Sequence, residues 1–366
     1  MAKKLASDKA LFTVVVLLVA FGLVMVFSAS AAVARGSGGG GLTANPFLVK
    51  QGLAAGIGVV AMLAAMHVDY RTWKRPLVVY GGLLTVIGLL AAVLLVGPEL
   101  NGTRRWFVVG PLSVQPSELA KLALVPFVAY HLEKKADRVN RPELLLPVAL
   151  ATALVAGLVL LGPDLGTAAL IVATVALMVF LAGLAWRYIA LGAAFLLPLG
   201  ALVLVAAPYR RQRLLSFLDP EADPLGAGYQ ALQSLIAVGS GGLFGLGLGN
   251  SGQKLFFLPY PHSDFIYAIV AEELGFVGAL AVLALFGVLL WRGTAAALHA
   301  PDSFGRYLGL GLTGILVLQA LVNVSVAVSL LPTKGIPLPF LSYGGSSLVV
   351  SMAACGVLLN LSEHAS

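Results

Sequence analysis

Residues 10–27 read ALFTVVVLLVAFGLVMVF, eighteen positions without a charge. A helix of that length rises about 27 Å, close to the roughly 30 Å hydrocarbon core of a bilayer. Lys3, Lys4 and Lys9 precede the run and Ser28-Ala29-Ser30-Ala31 follows it, an arrangement that imitates a signal peptide. The run is longer than the roughly 7–15 apolar residues of a signal-peptide core, so it is expected to stay as a first membrane span.

Nine similar stretches follow. The expected spans are Leu11–Ala34, Pro46–Met66, Pro76–Val96, Pro116–Tyr130, Glu143–Leu161, Leu165–Leu184, Tyr188–Ala207, Phe265–Trp291, Arg306–Leu331 and Gly344–Leu361. The fold class is therefore an all-α polytopic membrane protein of about ten transmembrane helices. One integral membrane domain is expected over 1–366, with a large extracytoplasmic loop at about 208–264 between helices 7 and 8. Composition agrees: the 366 residues are 59% hydrophobic and 11% charged, with a mean hydropathy of +0.97. A soluble domain could not cover so much apolar surface. The single Cys355 excludes an internal disulfide and reads as an apolar filler of the last span.

The net charge of +7 is a matter of topology rather than of nucleic-acid binding. An even number of spans puts both termini on one side. The densest basic loops, Arg71–Arg75 and Lys134–Arg141, put that side in the cytoplasm of a cytoplasmic (inner) membrane. Against this bias, outward segments hold Arg104, Arg105, Arg210, Arg211, Arg213, Lys254 and Lys334. Ordinary loop charge is one reading of these residues, and recognition of an anion outside the cytoplasm is the other.

Three outward segments stand out. Residues 97–115 contain Asn101-Gly102-Thr103-Arg104-Arg105-Trp106. Residues 208–264 include Tyr229–Val238, expected as an amphipathic helix at the interface, and then a glycine-rich run from Gly239 to Gly252. Residues 332–345 form a Pro/Gly-rich turn. The glycine run lacks the strand and βαβ setting of a dinucleotide site, and no P-loop is present. No His or Cys pair has metal-ligand spacing. The absence of internal repeats weakens a secondary-transporter reading.

Charged groups near the bilayer are functional candidates. Glu118 and Lys121, spaced i, i+3 at the start of the fourth span, either neutralise each other or line a polar groove. Asp264 opens the eighth span, where it would serve as an N-cap or as a general base beside outward cations. Glu272 and Glu273 lie about 12–14 Å deeper along that helix and are expected to pair with another helix or line a cavity. Asp164, in Gly162-Pro163-Asp164-Leu165-Gly166-Thr167, is expected to cap a helix.

Taken in order, these segments resemble the SEDS family (shape, elongation, division and sporulation) of peptidoglycan polymerases. The resemblance is carried by Phe21–Ser30, Asn101–Trp106, Gln115-Pro116-Ser117-Glu118, Pro163–Thr167 and Arg213–Pro220. Its most specific pieces are Asp264-Phe265-Ile266, Glu272-Glu273-Leu274-Gly275, Leu331–Gly335 and Ser342–Ser347. Gln253-Lys254 and Pro332–Gly335 are similar to the division branch, and Ile336–Pro339 leans toward the elongation branch. Tyr260-Pro261 and Ser263 depart from the family's usual residues before the aspartate.

The resemblance implies a ten-helix glycosyltransferase that polymerises lipid II at the outer face of the membrane, for septal division. Asp264 matches the family's essential aspartate and would be the general base. Arg104, Arg105, Glu118, Lys121, Arg210, Lys334 and Ser342 would bind substrate, the cations stabilising the departing pyrophosphate. No cofactor of the protein's own is implied; a divalent cation, Mg²⁺ or Mn²⁺, suits the pyrophosphate and would be held chiefly by substrate oxygens. Implied partners are a class B penicillin-binding protein and divisome or elongasome proteins, with no nucleic acid. Competing readings are a lipid II flippase, an elongation-type polymerase, a different lipid-linked sugar ligase, and a scaffold for the crosslinking enzyme. A base at the outer surface is what flipping would not need.

Overall fold

The computed structural model describes residues 7–36, 45–100, 102–110, 112–134, 139–140, 142–206, 208–226, 228–255 and 257–364. Lys3, Lys4, Asn101, Lys135, Arg138, Arg141 and Phe256, and the side chains of Arg35 and Arg210, lie outside the described residues.

Ten helices coincide with the expected spans. They are α1 (Lys9–Gly36), α2 (Pro46–His67), α3 (Pro76–Val96), α4 (Pro116–Lys134), α5 (Pro142–Leu161), α6 (Leu165–Leu181), α7 (Trp186–Ala206), α10 (Ile266–Leu298), α11 (Ser303–Ala327) and α12 (Gly345–His364). The starts follow local chemistry: proline opens α2, α3, α4 and α5 in the first turn, where its missing N–H is harmless. Asn45, Asp164 and Asp302 cap α2, α6 and α11 through their side chains. Seven of the ten are long and apolar enough to cross a membrane; α6 and the apolar part of α7 are shorter.

In α11 and α12 about 67% and 72% of the apolar window is buried, against 28% in α2 and α3, so α11 and α12 form the interior of the bundle. Leu77, Leu84, Leu95, Val96, Leu161 and Phe195 stay exposed on its outside, the surface that acyl chains would cover.

Two further helices lie between α7 and α10: α8 (Pro208–Leu218) and α9 (Tyr229–Ser240). The helix expected over 229–238 is present as α9. The amphipathic α9 packs on α10 and α11, with Ala237 fully buried and Ser234 Oγ donating to the Ala327 carbonyl at 2.6 Å. The segment 97–115 also holds structure that its prolines did not announce. Strands β1 (Phe107–Val109) and β2 (Leu112–Val114) form an antiparallel hairpin in the register Phe107↔Val114. Ser346 stitches it to the start of α12, its Oγ donating to Ser113 O at 2.7 Å and accepting from Gln115 N at 3.0 Å.

Helix α10 is 33 residues long because two helices meet end to end at Gly275 (φ 69°, ψ −167°). At that φ only glycine is unstrained. A Cβ at Gly275 would also collide with the Leu243 carbonyl and the Gly245 amide. The glycine-rich run that follows α9 supplies the bonds the break removes. Leu246 N and Gly247 N donate to Glu272 O and Glu273 O, while Phe276 N and Val277 N donate to Gly242 O and Leu243 O, all at 2.8–3.1 Å. The run is thus fixed backbone folded into the bundle, and it answers the requirement that buried peptide groups find partners.

Candidate active site

Asp264 precedes α10 but does not cap it: the cap position is Phe265, and no side chain caps that end. The capping role anticipated for Asp264 is thereby replaced by a different arrangement. Three consecutive carbonyls are gripped from neighbouring elements. His262 O accepts from Tyr343 N at 2.8 Å, Ser263 O from Ser342 Oγ at 2.6 Å, and Asp264 O from Asn323 Nδ2 at 2.9 Å. Asn323 also donates to Ile336 O at 2.8 Å, tying the 332–345 turn to the same point. The backbone is held, and the carboxylate is left to project. Among the described residues, Ser263 Oγ lies 3.2 Å from its Oδ1.

Gly335 lies against the other oxygen; a Cβ there would stand 3.2 Å from Asp264 Oδ2. Burial pushes the Asp264 carboxyl up to about 6, with the Asp164 charge adding to the rise. The Ser263 hydrogen bond and the Arg213 charge oppose it without overcoming it. Beside Asp264, His262 is buried between Phe47 and Tyr343, with ring centroids 4.5 and 5.6 Å away. That burial lowers its pKa to about 4 and keeps the imidazole neutral.

The α5–α6 turn faces this point. Asp164 Oδ1 caps α6 by accepting from Thr167 N at 2.9 Å, and Oδ2 lies 3.4 Å from Gln115 Nε2. Gly166 packs against Ile336 and the Cβ of the half-buried Lys334. Arg105 Nη2 donates to Pro163 O at 2.6 Å, and the exposed Arg104 donates from Nη1 to Leu95 O at 3.2 Å. Both arginines line a small surface pocket with Leu94, Ser117, Val159 and Asp164. A second small pocket is lined by Arg213, Ser216, Ser329 and Thr333.

Other predicted contacts are placed elsewhere. Lys121 Nζ lies 2.7 Å from Glu118 Oε2 and donates to Gln319 Oε1 at 2.6 Å, and both charged residues are at most 5% exposed. Gln319 in turn donates to Pro337 O at 2.8 Å. The pair therefore braces the 332–345 turn from below and does not line an open groove. Ser342 is 3% exposed, and its hydroxyl bridges Ser263 O and Leu338 N. Lys254, expected outside for an anion, is buried against Glu273. Asn323, Gln319, Gly335 and Arg213 were missing from the predicted site. The signal for the first two was visible as amides one helical turn apart inside an apolar span.

The family described as Cell cycle protein, which groups FtsW, RodA and SpoVE, matches residues 8–366. The chain belongs to this family. Stage V sporulation protein E of Bacillus subtilis (strain 168) is 45% identical over 99% of this chain and 98% of its own length. A probable peptidoglycan glycosyltransferase FtsW of Trichlorobacter lovleyi is 40% identical over 97% of this chain and 93% of its own. Among solved structures, a chain from work on the coordination of polymerization and crosslinking by a peptidoglycan synthase complex superposes with a TM-score of 0.80 at 38% identity, covering 98% of both chains. RodA of Thermus thermophilus superposes at 0.72 with 34% identity over 99% of both. Both agree with the polytopic helical fold found here.

Proposed function

We propose that this family member is a peptidoglycan glycosyltransferase that polymerises lipid II at the outer face of the cytoplasmic membrane, with Asp264 as its general base. The observation that carries the reading is the Asp264 carboxylate itself. Its backbone is clamped at three carbonyls, its side chain is released from capping, and burial raises its basicity. At about 6 it is ionised at neutral pH and close to the strength at which a carboxylate takes a proton well.

The acceptor sugar's 4-hydroxyl loses its proton to Asp264 as its oxygen bonds to the donor's anomeric carbon. The bond from that carbon to the pyrophosphate oxygen breaks, and the electron pair leaves with undecaprenyl pyrophosphate. Arg104, Arg105 and Lys334, on the turns around Asp264, are proposed to stabilise that charge together with Arg210 of α8, and Arg213 joins them because its field reaches the carboxylate. Glu118, Lys121 and Ser342 act on the substrate only through the turn they brace.

Septal use, a class B penicillin-binding protein as partner, and both termini in the cytoplasm belong to the same proposal. The relatives named FtsW support the first, and the synthase-complex neighbour the second. Purified protein is to be incubated with labelled lipid II and a divalent cation, with and without its penicillin-binding protein, beside Asp264→Ala. Glycan ladders that vanish in the variant are expected. Ladders that persist would remove Asp264 as the base, and no ladders from folded native protein with its partner would favour the flippase or the scaffold.

A further inference from the structure

The glycine-rich run that folds into the Gly275 break forms, on to Lys254, a strap across α10, and its end carries a buried polar cluster that the reaction does not use directly. Lys254 Nζ donates to Glu273 Oε1 at 2.8 Å and to Ser28 Oγ at 3.2 Å. Ser28 Oγ stands 2.7 Å from both Glu273 oxygens. The neighbouring Glu272 receives Ser251 Oγ, Gly252 N at 2.9 Å and Gln253 N at 3.3 Å. Lys254, Glu272 and Glu273 are at most 5% exposed. Such a cluster is weak support for stability, because desolvation offsets much of its attraction. Its location gives it another use.

The two glutamates end the first half of α10, where Gly275 breaks the helix and the strap folds in. Asp264 stands just before the other end of that half. The strap continues from Lys254 to Asp264 through a short compact segment, with Leu258 N on Gln253 O at 2.9 Å and the Leu258 side chain buried. Helix α1 supplies Ser28 to the cluster, and six residues earlier its Gly22 packs against Phe340 and Leu341 of the turn that grips Asp264.

We propose that Lys254 and Glu273, seated on Ser28 and flanked by the Glu272 anchor, are positioning residues that fix Asp264 against the 332–345 turn. This rests on Asp264 being the base. The cluster closes a ring of α1, the strap, the first half of α10 and the turn, and Asp264 is the point at which strap, helix and turn meet. Displacement of a catalytic group by about 1 Å is enough to cost on the order of 100-fold in rate.

The test is steady-state polymerisation by the full chain with its partner, compared for Lys254→Met, Lys254→Arg, Glu273→Gln and the exchange Lys254→Glu with Glu273→Lys. Expected for Lys254→Met is a loss of kcat on the order of 100-fold with the KM for lipid II within about twofold of native, and a shifted pH midpoint of kcat. The exchange is expected to recover much of the rate. Should Lys254→Met fail to fold, Glu273→Gln carries the test, because it keeps the size and removes the charge that Lys254 meets; the same kcat loss at unchanged KM is expected, and Lys254→Arg, which keeps the charge in place, is expected to lose less. Native kcat and pH midpoint in folded Lys254→Met and Glu273→Gln overturn the proposal. A raised KM at native kcat overturns it as well, since it would make Lys254 a substrate contact. Asp264→Ala is assayed beside them. If that variant stays active the base assignment falls, whereas an inactive Asp264→Ala with native Lys254 variants removes the positioning role alone.

Discussion

Asp264 and Glu273 flank the same short stretch of α10 and meet opposite surroundings. Glu273 is fully buried, and both of its oxygens are engaged by Ser28 and Lys254. Asp264 has its main-chain carbonyl held by Asn323, and among the described residues its carboxylate meets one hydroxyl at 3.2 Å and the charge of Arg213. A carboxylate whose lone pairs are filled by fixed donors holds architecture together, whereas one that is desolvated and under-partnered is poised to accept a proton. Residue type and depth along the helix do not separate the two. The number of donors aimed at each oxygen does.

The largest effect that would break this contrast is at Asp264. Asp264→Asn keeps shape and removes the base, and polymerisation is expected to fall by about 10²–10⁴-fold. The same variant should be more thermostable at pH 7.5. The Asp264 pKa rises from 3.8 to about 6 on folding, so its contribution to stability is full below pH 3.8 and lost as pH climbs through about 6. Melting curves of native protein and variant should therefore converge near pH 4 and separate above pH 6, with the variant higher. A variant that melts lower at pH 7.5 would mean that the carboxylate has partners as firm as those of Glu273.

Next in size is the break that divides the two acids. Gly275→Ala forces a side chain into a φ of 69° and onto the strap backbone. It should cost on the order of 1–3 kcal/mol, seen as a lower melting temperature in detergent with reduced polymerisation. Unchanged melting would show that the strap is not tied to the helix as described.

The ten spans were legible because apolar runs of bilayer length have few alternatives in a chain this hydrophobic. The start of α10 was misplaced by one residue, enough to turn Asp264 from an apparent cap into a projecting side chain. The destination of Lys254 was not legible at all. Its partners, Ser28 and Glu273, are 226 and 19 residues away and meet it only because the strap re-enters at Gly275. Glu118 and Lys121 were visible as a pair, but Gln319, which decides that they brace a turn, lies 198 residues from Lys121. Motif resemblance reached Asp264. Only the fold showed which residues brace the turn that holds it.

A third prediction refines the contrast by pH. With Asp264 as base, kcat at saturating lipid II should fall about tenfold per unit below pH 6 and level off above it. The native midpoint should lie near 6, between the unperturbed carboxylate at 3.8 and neutrality. A midpoint near 4 would place the working carboxylate in water.

The smallest effect is expected at the opposite end of the bundle, where ion pairs exist without any bearing on Asp264. Lys74 Nζ reaches Glu133 Oε1 at 2.5 Å, joining the turn before α3 to the end of α4, but its side chain is 40% exposed. Water screens such a pair, and ordering two long side chains offsets its attraction, so Lys74→Ala should shift stability by about 1 kcal/mol or less. Polymerisation should be native within error, because neither residue touches the strap, α1 or the 332–345 turn. Buried Lys254 and half-exposed Lys74 make the same kind of bond over similar distances. If Lys74→Ala slowed the reaction as much as Lys254→Met, the rate would be tracking the general firmness of the bundle. A native rate in the first and a kcat defect in the second would locate the control in the ring that holds Asp264.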